Sequence, residues 1–481
     1  MGERPRTGFP PRFHFNFLSD RHVMSTLNRA VPIHDLIGVG FGPSNLALAI
    51  AMSDSRAPDI RCLFIEKQPQ FTWHGNMLLE DCRMQVSFLK DLVTLRDPTS
   101  PYSFINYLHA QNRLEAFINL KTFFPTRLEY NGYLQWAAEQ FRPQCSYGEE
   151  VTRIEPVVTD GFIKTLRVHS RDVTGATRQR QARNLVLALG GTPRLPPEFA
   201  GIADERIFHS SVYLERLAAL KLRTSNEPPR FAVIGSGQSA AEIFLDLTRQ
   251  AHAHVDLITR SHALKPADDS PLVNEIFNSR HVDIVYAQTA EARARMIEDF
   301  SDTNYAVVDV DLIEKIYELL YVQQVSGEHR HALLRNRQIV RVAGRTHGVH
   351  LTTLDALTGA HETRRYDAVI LATGYERDAH KRLLTELSSY LGELTVDRQY
   401  RLAHDENFLP EIYLQGYCES THGLSDTLLS VLATRSREIV DSLQNALIRQ
   451  HLIETPFRKE FPRSARTDGT PHDSIDVRLA P

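Results

Sequence analysis

The chain has 481 residues, too many for one hydrophobic core, so two or three domains are expected. Its formal net charge of −4 and its 24% of charged residues are ordinary for a globular protein and give no case for nucleic acid or anionic membrane as a partner. No run reaches the roughly 18 apolar residues needed to cross a bilayer, so no transmembrane segment is predicted.

Both ends of the chain are expected to be tails. Residues 1–30 are basic but lack the apolar stretch of a secretory signal, so they are expected to be disordered. Residues 451–481 contain many Pro, Arg, Asp and Ser residues and are expected to be flexible.

The first strongly patterned segment is a predicted strand that runs from His34 into a glycine-rich turn. Gly38 and Gly40 allow a tight strand-to-helix turn and close approach of the backbone to a pyrophosphate. Pro43 stands where a third glycine is usual, and proline is tolerated in a first helical turn. The next predicted strand ends at Glu66, whose carboxylate suits an unphosphorylated ribose. This arrangement predicts an FAD site.

A second version of the same pattern begins at residue 231. A predicted strand is followed by Gly235, Ser236, Gly237 and Gln238 and then by an alanine-rich helical run. The strand after that helix ends at Arg260, which would attract a 2′-phosphate where an acid would repel one. This second motif therefore predicts an NADPH site.

The four cysteines are Cys62, Cys82, Cys145 and Cys418, and none of them forms a CxxC pair. Structural zinc sites and the redox-active disulfides of flavin disulfide reductases need closely spaced cysteines. We therefore predict no metal site, and we expect a reducing, cytoplasmic location.

The predicted fold class is α/β, with two Rossmann-like dinucleotide-binding domains and a smaller helical substrate-binding region in the aromatic segment 71–142. Buried strands at residues 184–189 and 366–371 are each followed by glycine, and such strands are expected to return the chain to the first domain. The FAD domain is thus predicted at residues 31–200 and 366–450, and the NADPH domain at 201–365. Both carry substrate-binding segments.

Five motifs in order point to one family. They are GVGFGPSNLA at 38–47, SFLKDL at 87–92, KPADDSP at 265–271, ATGY at 372–375 and HGLSDTLLS at 422–430. Together they resemble the N-hydroxylating flavin monooxygenases of siderophore biosynthesis, and most closely the L-ornithine N(5)-monooxygenases. The resemblance covers about residues 34 to 445.

The resemblance implies that NADPH reduces FAD, that molecular oxygen adds to form a flavin hydroperoxide, and that its distal oxygen passes to the side-chain amine of L-ornithine. The product, N(5)-hydroxyornithine, would be built into an iron chelator. No protein side chain needs to act as a nucleophile, because the substrate amine attacks. Family members are commonly tetramers, so a homo-oligomer is expected.

Lys90 is implied to pair with the substrate carboxylate. It lies in an apolar run, where a lysine is costly unless it finds an anion. Asn274 and Asn304 offer donors and acceptors to the amino acid head, and Ser430 would lie nearest the reacting amine. The full set of substrate-binding residues is Lys90, Asn274, Glu275, Ile276, Phe277, Asn304 and Ser430.

The cofactor contacts combine the two glycine motifs with segments carried over from the family. For FAD they are Gly38, Gly40, Pro43, Glu66, Trp73, His74, Met84, Gln85, Arg127, Val151, Thr427, Leu428 and Leu429. For NADPH they are Gly235, Ser236, Gly237, Gln238, Arg260, Asn304, Tyr305 and Ala306.

Three other functions compete with this interpretation. Lysine N(6)-hydroxylation differs by one methylene, worth only about 1–3 kcal/mol in an apolar pocket, although the context of residues 265–271 and Asn274 favours ornithine. A flavin-dependent reductase acting on a dithiol or protein is disfavoured by the absence of a cysteine pair. A non-catalytic FAD-binding protein would have no evident use for the second motif with Arg260.

Overall fold

The computed structural model describes residues 32–55, 60–220, 227–250 and 252–454. The predicted tail at residues 1–30 and the part of the C-terminal tail after residue 454 lie outside the described residues. The last helix of the fold reaches Glu454, so the tail predicted from residue 451 overlaps its final turn. No helix in the described ranges is long and apolar enough to cross a membrane.

The first large sheet is built around the strand that enters the first glycine motif. β1 (Ile33–Val39) pairs in parallel with β2 (Cys62–Glu66) and with β6 (Thr177–Leu187), and places Gly38 opposite Phe64. The strand order is β3, β2, β1, β6, β5, β4, and β19 also pairs with β6. The remaining bounds are β3 Cys145–Tyr147, β4 Glu149–Thr159, β5 Phe162–Asp172 and β19 Ile412–Leu414.

The second large sheet surrounds the strand of the second glycine motif. Its five parallel strands follow the order β13, β10, β9, β17, β8. Their bounds are β8 Ile207–His209, β9 Arg230–Ile234, β10 His254–Ile258, β13 His331–Leu334 and β17 Ala368–Leu371. Buried β-branched and aromatic side chains in these strands form the core of this domain.

The strand at residues 366–371 was expected to return the chain to the first domain, and this expectation is wrong. β17 pairs with β9 on one side and with β8 on the other, so it completes the second sheet. The chain rejoins the first sheet only at β19. A buried apolar strand with a glycine at its exit fits either sheet equally well, and the pattern alone cannot choose between them.

Smaller sheets complete the architecture. β14 (Arg337–Arg345), β15 (Gly348–Asp355) and β16 (His361–Tyr366) form an antiparallel meander. Two ribbons join distant segments, β7 with β18 and β11 with β12. Their bounds are β7 Thr192–Pro193, β11 Lys265–Pro266, β12 Val307–Val308 and β18 Tyr375–Glu376.

The helices cover the two large sheets and form the expected helical region. α1 begins at Pro43, and its buried residues pack against the last helix, α13. Thr126 caps α4 by accepting a hydrogen bond from the Glu129 N–H at 3.1 Å. The helices are α1 Pro43–Ser53, α2 Phe104–Ala110, α3 Leu114–Asn119, α4 Arg127–Glu139, α5 Tyr213–Ala219, α6 Gln238–Thr248, α7 Ser279–Tyr286, α8 Ala290–Asp299, α9 Val310–Ser326, α10 Ala379–Leu383, α11 Ser388–Leu391, α12 Glu419–His422 and α13 Leu432–Glu454.

Aromatic rings hold the helical region together. The ring of Phe104 lies 5.5 Å from that of Phe88, 5.8 Å from that of Tyr130 and 5.4 Å from that of Tyr133. Aromatic rings at these spacings contribute apolar contact area, and the pair of Phe104 with Tyr133 adds edge-to-face attraction. The region therefore supplies a rigid wall beside the first sheet.

His422, in the last of the five motifs, is fully buried and stacks on Tyr400 at a centroid distance of 4.0 Å. Burial lowers the pKa of His422 to about 4, whereas an unfolded histidine titrates near 6.5. Between these values only the unfolded chain binds the proton, so His422 should cost about 1.4 kcal/mol of stability per pH unit as the pH falls from 6.5.

We expect His422→Gln to reduce the loss of unfolding free energy between pH 6.5 and pH 5, measured by urea denaturation. The matched control is His109→Gln, which changes an exposed histidine on α2. An identical loss in the His422→Gln variant and the parent would contradict the assignment.

Candidate active site

A cavity of about 2620 Å³ is lined by Ile234 and Ile258 of the second large sheet, by Gly416 and Tyr417 just after β19 of the first sheet, and by segment 73–90 together with Arg127. A pocket for one small ligand usually measures about 300–1,000 Å³, so this cavity has room for more than one ligand. The predicted residues that line it are Trp73, His74, Met84, Gln85, Lys90, Arg127, Gly235, Ser236, Gly237, Gln238, Arg260, Asn274, Phe277, Asn304, Tyr305, Ala306, Thr427, Leu428, Leu429 and Ser430.

The first glycine motif has the close approaches that a dinucleotide turn requires. A Cβ on Gly38 would lie 2.3 Å from Cδ1 of Phe64. Gly40 has a φ of +85°, and a Cβ there would lie 2.4 Å from the carbonyl oxygen of Ala188. By contrast, the Cβ position of Gly42, just before α1, has no neighbour within 4 Å. The turn is therefore closely packed against the protein at Gly38 and Gly40 and open at Gly42, where α1 begins. An open helix N-terminus is what phosphate binding needs.

Glu66 lies at the end of β2, next to this turn. One carboxylate oxygen accepts the Phe41 N–H at 2.7 Å, and the other accepts the Gln68 N–H at 2.8 Å. The acid is buried and oriented by the backbone on both sides. These contacts hold a negative charge beside the motif, where a ribose hydroxyl could donate to it.

The second motif repeats this geometry. Gly235 has a φ of +149°, and a Cβ there would lie 2.3 Å from the carbonyl oxygen of Ala372. Gly237 lies next to Ala306, with 3.6 Å from its Cβ position to the Ala306 Cα. Arg260 follows β10 and is exposed at the cavity. The two motifs thus place an acid and a base at equivalent positions.

Lys90 is held at the cavity by its neighbour Asp91. The buried Asp91 carboxylate accepts the N–H groups of Phe104 at 2.8 Å and of Thr94 at 2.7 Å, which fixes the loop. The Lys90 ammonium has no hydrogen-bond or ion-pair partner in the part of the chain that the structure describes, and burial lowers the pKa of this lysine. A lysine in this state favours an anionic ligand.

Ser430 presents an unpaired hydroxyl to the same cavity. Its Oγ is buried and finds no hydrogen-bond partner among residues 32–454 that are described. Buried polar groups are almost always hydrogen-bonded, so an unpaired hydroxyl at a cavity wall is free to bond a ligand there. Lys90 and Ser430 therefore offer an anion site and a polar contact in one cavity.

Seven predicted residues do not line the cavity: Gly38, Gly40, Pro43 and Glu66 of the first motif, and Glu275, Ile276 and Val151. Glu275 is exposed and pairs with Arg280 at 3.7 Å, and Ile276 is buried on the opposite side of the same short helical turn. Val151 packs in the core of the first sheet. Glu275 and Ile276 follow Asn274 directly, but successive residues of a helical turn face different directions, so neither side chain reaches the cavity with Asn274.

Two non-glycine residues at the cavity have left-handed backbone conformations. The φ angle is 52° at His74 and 58° at Ala306, an uncommon region that tends to occur at functional sites. His74 reaches the open part of the cavity, but surrounding protein lowers its pKa to about 4, helped by the positive charges of Arg127 and Arg377. His74 is therefore neutral at pH 7.

A buried ion pair in the wall of the cavity was not predicted. The Arg127 guanidinium donates to both oxygens of the Glu242 carboxylate, at 2.9 and 2.8 Å, and also to the Met77 carbonyl at 3.0 Å. Arg127 begins α4, and Glu242 lies in α6, the helix of the second motif. The only available signal was a charged residue inside the apolar helical run of residues 240–244.

Glu242 also accepts a hydrogen bond from the Gln238 side chain at 3.1 Å. Asp309 extends this chain of contacts, because its two carboxylate oxygens accept from Gln238 and from Gln85, both at 2.9 Å. The predicted contacts Arg127, Gln238 and Gln85 are thus connected by two acids that were not predicted.

A second pair of groups lies at Tyr305, one of the predicted NADPH contacts. The Tyr305 hydroxyl donates to the Glu419 carboxylate, which the start of α12 supplies. Burial raises the pKa of Glu419. This contact connects Tyr305 to the segment that leads into the last motif.

Comparison with known proteins supports the same interpretation. A sequence model of the L-lysine 6-monooxygenase/L-ornithine 5-monooxygenase family matches residues 32–377. The L-ornithine N(5)-monooxygenase of Burkholderia cepacia is 52% identical over 399 residues, which are 81% of this chain and 90% of that protein.

Solved structures match over nearly their whole length. The ornithine hydroxylase PvdA from Pseudomonas aeruginosa has a TM-score of 0.83 at 49% identity, covering 86% of this chain and 100% of that one. The ornithine N-hydroxylase KtzI of Kutzneria sp. 744, with reduced FAD, NADP⁺ and L-ornithine, has a TM-score of 0.80 at 38% identity, covering 86% and 99%.

We expect Glu242→Gln to lower the free energy of unfolding by about 3–5 kcal/mol, because it leaves the buried Arg127 charge without its carboxylate. Replacing both partners with apolar residues, Arg127→Met with Glu242→Leu, should recover most of this loss. Urea denaturation measures both.

The matched control is Asp302→Asn, which breaks the exposed Lys265–Asp302 pair of 3.0 Å and should cost less than about 1 kcal/mol. If Glu242→Gln and Asp302→Asn lower the free energy of unfolding by the same small amount, the buried pair stabilises the fold no more than the exposed pair does.

Proposed function

The chain belongs to the L-lysine 6-monooxygenase/L-ornithine 5-monooxygenase family, and on that basis we propose that it hydroxylates the side-chain amine of L-ornithine. The product is N(5)-hydroxyornithine, formed with NADPH, FAD and molecular oxygen in an early step of hydroxamate siderophore biosynthesis. One observation carries the proposal: the Lys90 ammonium and the Ser430 hydroxyl, both without a partner among the described residues, line one cavity together with the second dinucleotide motif.

The two motifs divide the cofactors between them. The first motif, with Gly38, Gly40, Pro43 and Glu66, binds FAD, and the second, with Arg260, binds NADPH. The crowded Cβ positions of Gly40 and Gly235 fit this assignment, because each turn lets the backbone approach a pyrophosphate. When bound, FAD reduced by NADPH supplies the activation of oxygen.

The side chains of this protein bind and orient the amino acid. Lys90 pairs with the ornithine carboxylate, Asn274 and Asn304 contact its head, and Ser430 contacts the side-chain amine. The amine must be neutral to attack, although a free alkylammonium has a pKa of about 10.4. Burial in a cavity that excludes water lowers this pKa and supplies the reactive form.

Ornithine is preferred to lysine as the proposed substrate because the 52% identical relative is an L-ornithine N(5)-monooxygenase. L-Lysine N(6)-monooxygenation is the remaining candidate within the family. One methylene changes binding by only about 1–3 kcal/mol, so the choice has to be measured.

We also propose a cytoplasmic homo-oligomer, with a tetramer as the expected form. Four cysteines without disulfides are consistent with a reducing compartment. Tyr317, Tyr321 and Val325 form an exposed apolar face on α9, and such faces commonly mark protein contacts. The family resemblance supplies the number of subunits.

The function is tested by hydroxylated amine formed per NADPH consumed, with purified protein, FAD and oxygen, comparing ornithine with lysine. With ornithine, we expect the amount of hydroxylated amine formed to be nearly equal to the amount of NADPH consumed. With lysine, we expect mainly hydrogen peroxide. Lys90→Ala should abolish hydroxylation yet leave flavin reduction intact, because Lys90 holds substrate rather than cofactor.

Hydroxylation of lysine coupled to NADPH consumption would show that the substrate is lysine rather than ornithine. NADPH consumption with neither amine hydroxylated would refute the proposed reaction. Undiminished hydroxylation by Lys90→Ala would remove Lys90 from the substrate site.

Arg260 should give the enzyme a clear preference for NADPH over NADH. A charge-assisted hydrogen bond contributes about 1.5–3 kcal/mol, so Arg260→Ala should reduce the preference, measured as the ratio of kcat/KM values, by about tenfold or more. Arg295→Ala, an exposed arginine of α8, is the matched control. Equal use of the two nucleotides by the parent protein would contradict this role.

A further inference from the structure

Asp309 connects two amide side chains that come from different domains. Its Oδ1 accepts a hydrogen bond from Nε2 of Gln85, in the segment before Lys90. Its Oδ2 accepts from Nε2 of Gln238, the first residue of α6 in the second dinucleotide motif. Both distances are 2.9 Å, and all three side chains line the cavity.

The orientation of Gln238 is fixed completely. Its Oε1 accepts the backbone N–H of Asp309 at 2.9 Å, while its Nε2 donates to Asp309 and, at 3.1 Å, to Glu242. Turning this amide over would place an oxygen against two carboxylates. Asp309 and Glu242 therefore hold Gln238 in one position.

Among the described residues, the Asp309 carboxylate accepts hydrogen bonds only from the side chains of Gln85 and Gln238. Asp309 stands at the N-cap of α9, yet its side chain makes no capping hydrogen bond. The carboxylate is partly withdrawn from water, which raises its pKa, and is compensated by the two amides. A group that could have capped a helix instead spans the two domains.

Glu242 carries the connection further, because its carboxylate also binds both terminal nitrogens of Arg127. A continuous series of hydrogen bonds thus runs from Gln85 through Asp309, Gln238 and Glu242 to Arg127. Gln85 and Arg127 stand on the first-domain side of the cavity, and Gln238 on the second-domain side. Movement at either side must be transmitted or must break a contact.

We infer that Asp309 is a positioning residue that couples NADP⁺ occupancy of the second motif to the placement of Gln85 at the flavin. This inference rests on the proposed function for the identity of the two cofactors. Coupling between sites is reciprocal, so Gln85 should in turn influence the affinity for NADP⁺.

The experiment uses FAD-loaded protein titrated with NADP⁺, with binding followed by the flavin absorbance spectrum. Asp309→Ala should weaken NADP⁺ binding at least fivefold and diminish the spectral change at saturation. FAD content, the KM for ornithine and Tm should stay at parent values. Glu314→Gln, an exposed acid on the same helix, is the matched control.

The conservative variant separates geometry from charge. In Asp309→Asn the amide oxygen can still accept from Gln238, and Gln85 can turn its amide to accept from the new nitrogen. We expect this variant to recover most of the affinity for NADP⁺. Gln85→Ala should weaken NADP⁺ binding in the parent protein and have no added effect in the Asp309→Ala protein.

Unchanged NADP⁺ affinity and spectra in Asp309→Ala would overturn the inference. So would a parallel fall of Tm, FAD content and NADP⁺ affinity, since that is the result of a merely structural role. The titration needs no amino acid substrate. A parent protein that fails to hydroxylate ornithine would therefore refute the proposed function while the titration still decides the role of Asp309.

Discussion

The cavity depends on the buried ion pair between Arg127 and Glu242. The Arg127 backbone N–H donates to the Cys82 carbonyl at 2.8 Å, and its guanidinium reaches the Met77 carbonyl as well as Glu242. One residue thus fixes the start of α4, the segment after Trp73 and the helix of the second motif. A buried charge tolerates little displacement from its partner, because both would lose compensation in a medium of low polarity.

Hydrogen bonding between amides and acids extends this constraint to the ligand-contacting surface. Polar groups withdrawn from water are costly unless they are paired, so a fully paired series favours one arrangement over its neighbours. In contrast, the groups assigned to substrate, Lys90 and Ser430, remain unpaired in the described part of the chain. These two groups are therefore available to a ligand, whereas Gln85, Gln238 and Arg127 are held by hydrogen bonds within the protein.

Much of this could be predicted from sequence because the decisive signals are local. The two glycine turns, Glu66 and Arg260 each follow from a strand and its next few residues, and the structure puts them where the pattern requires. Lys90 stood out because a lysine within an apolar run needs a reason. The α/β class and its two nucleotide-binding units followed from the same short patterns.

Other features could not be read in this way. Arg127 and Glu242 are 115 residues apart in sequence, and Gln85 and Asp309 are 224 apart, so no spacing rule connects them. The placement of β17 in the second sheet depends on which neighbour it pairs with, which a single strand does not encode. Val151 is an error of the other kind, a residue predicted to contact FAD that the structure places elsewhere. It packs in the core of the first sheet and does not reach the cavity.

The ribbon of β7 and β18 has a mechanical consequence. The chain crosses from the first large sheet to the second through Thr192–Pro193 and starts back through Tyr375–Glu376, and these two connections are hydrogen-bonded to each other. Two separate tethers would permit twisting about either one, whereas a paired ribbon resists shear between them. The two crossings are therefore held in one register, so a shift of either connection has to carry the other with it.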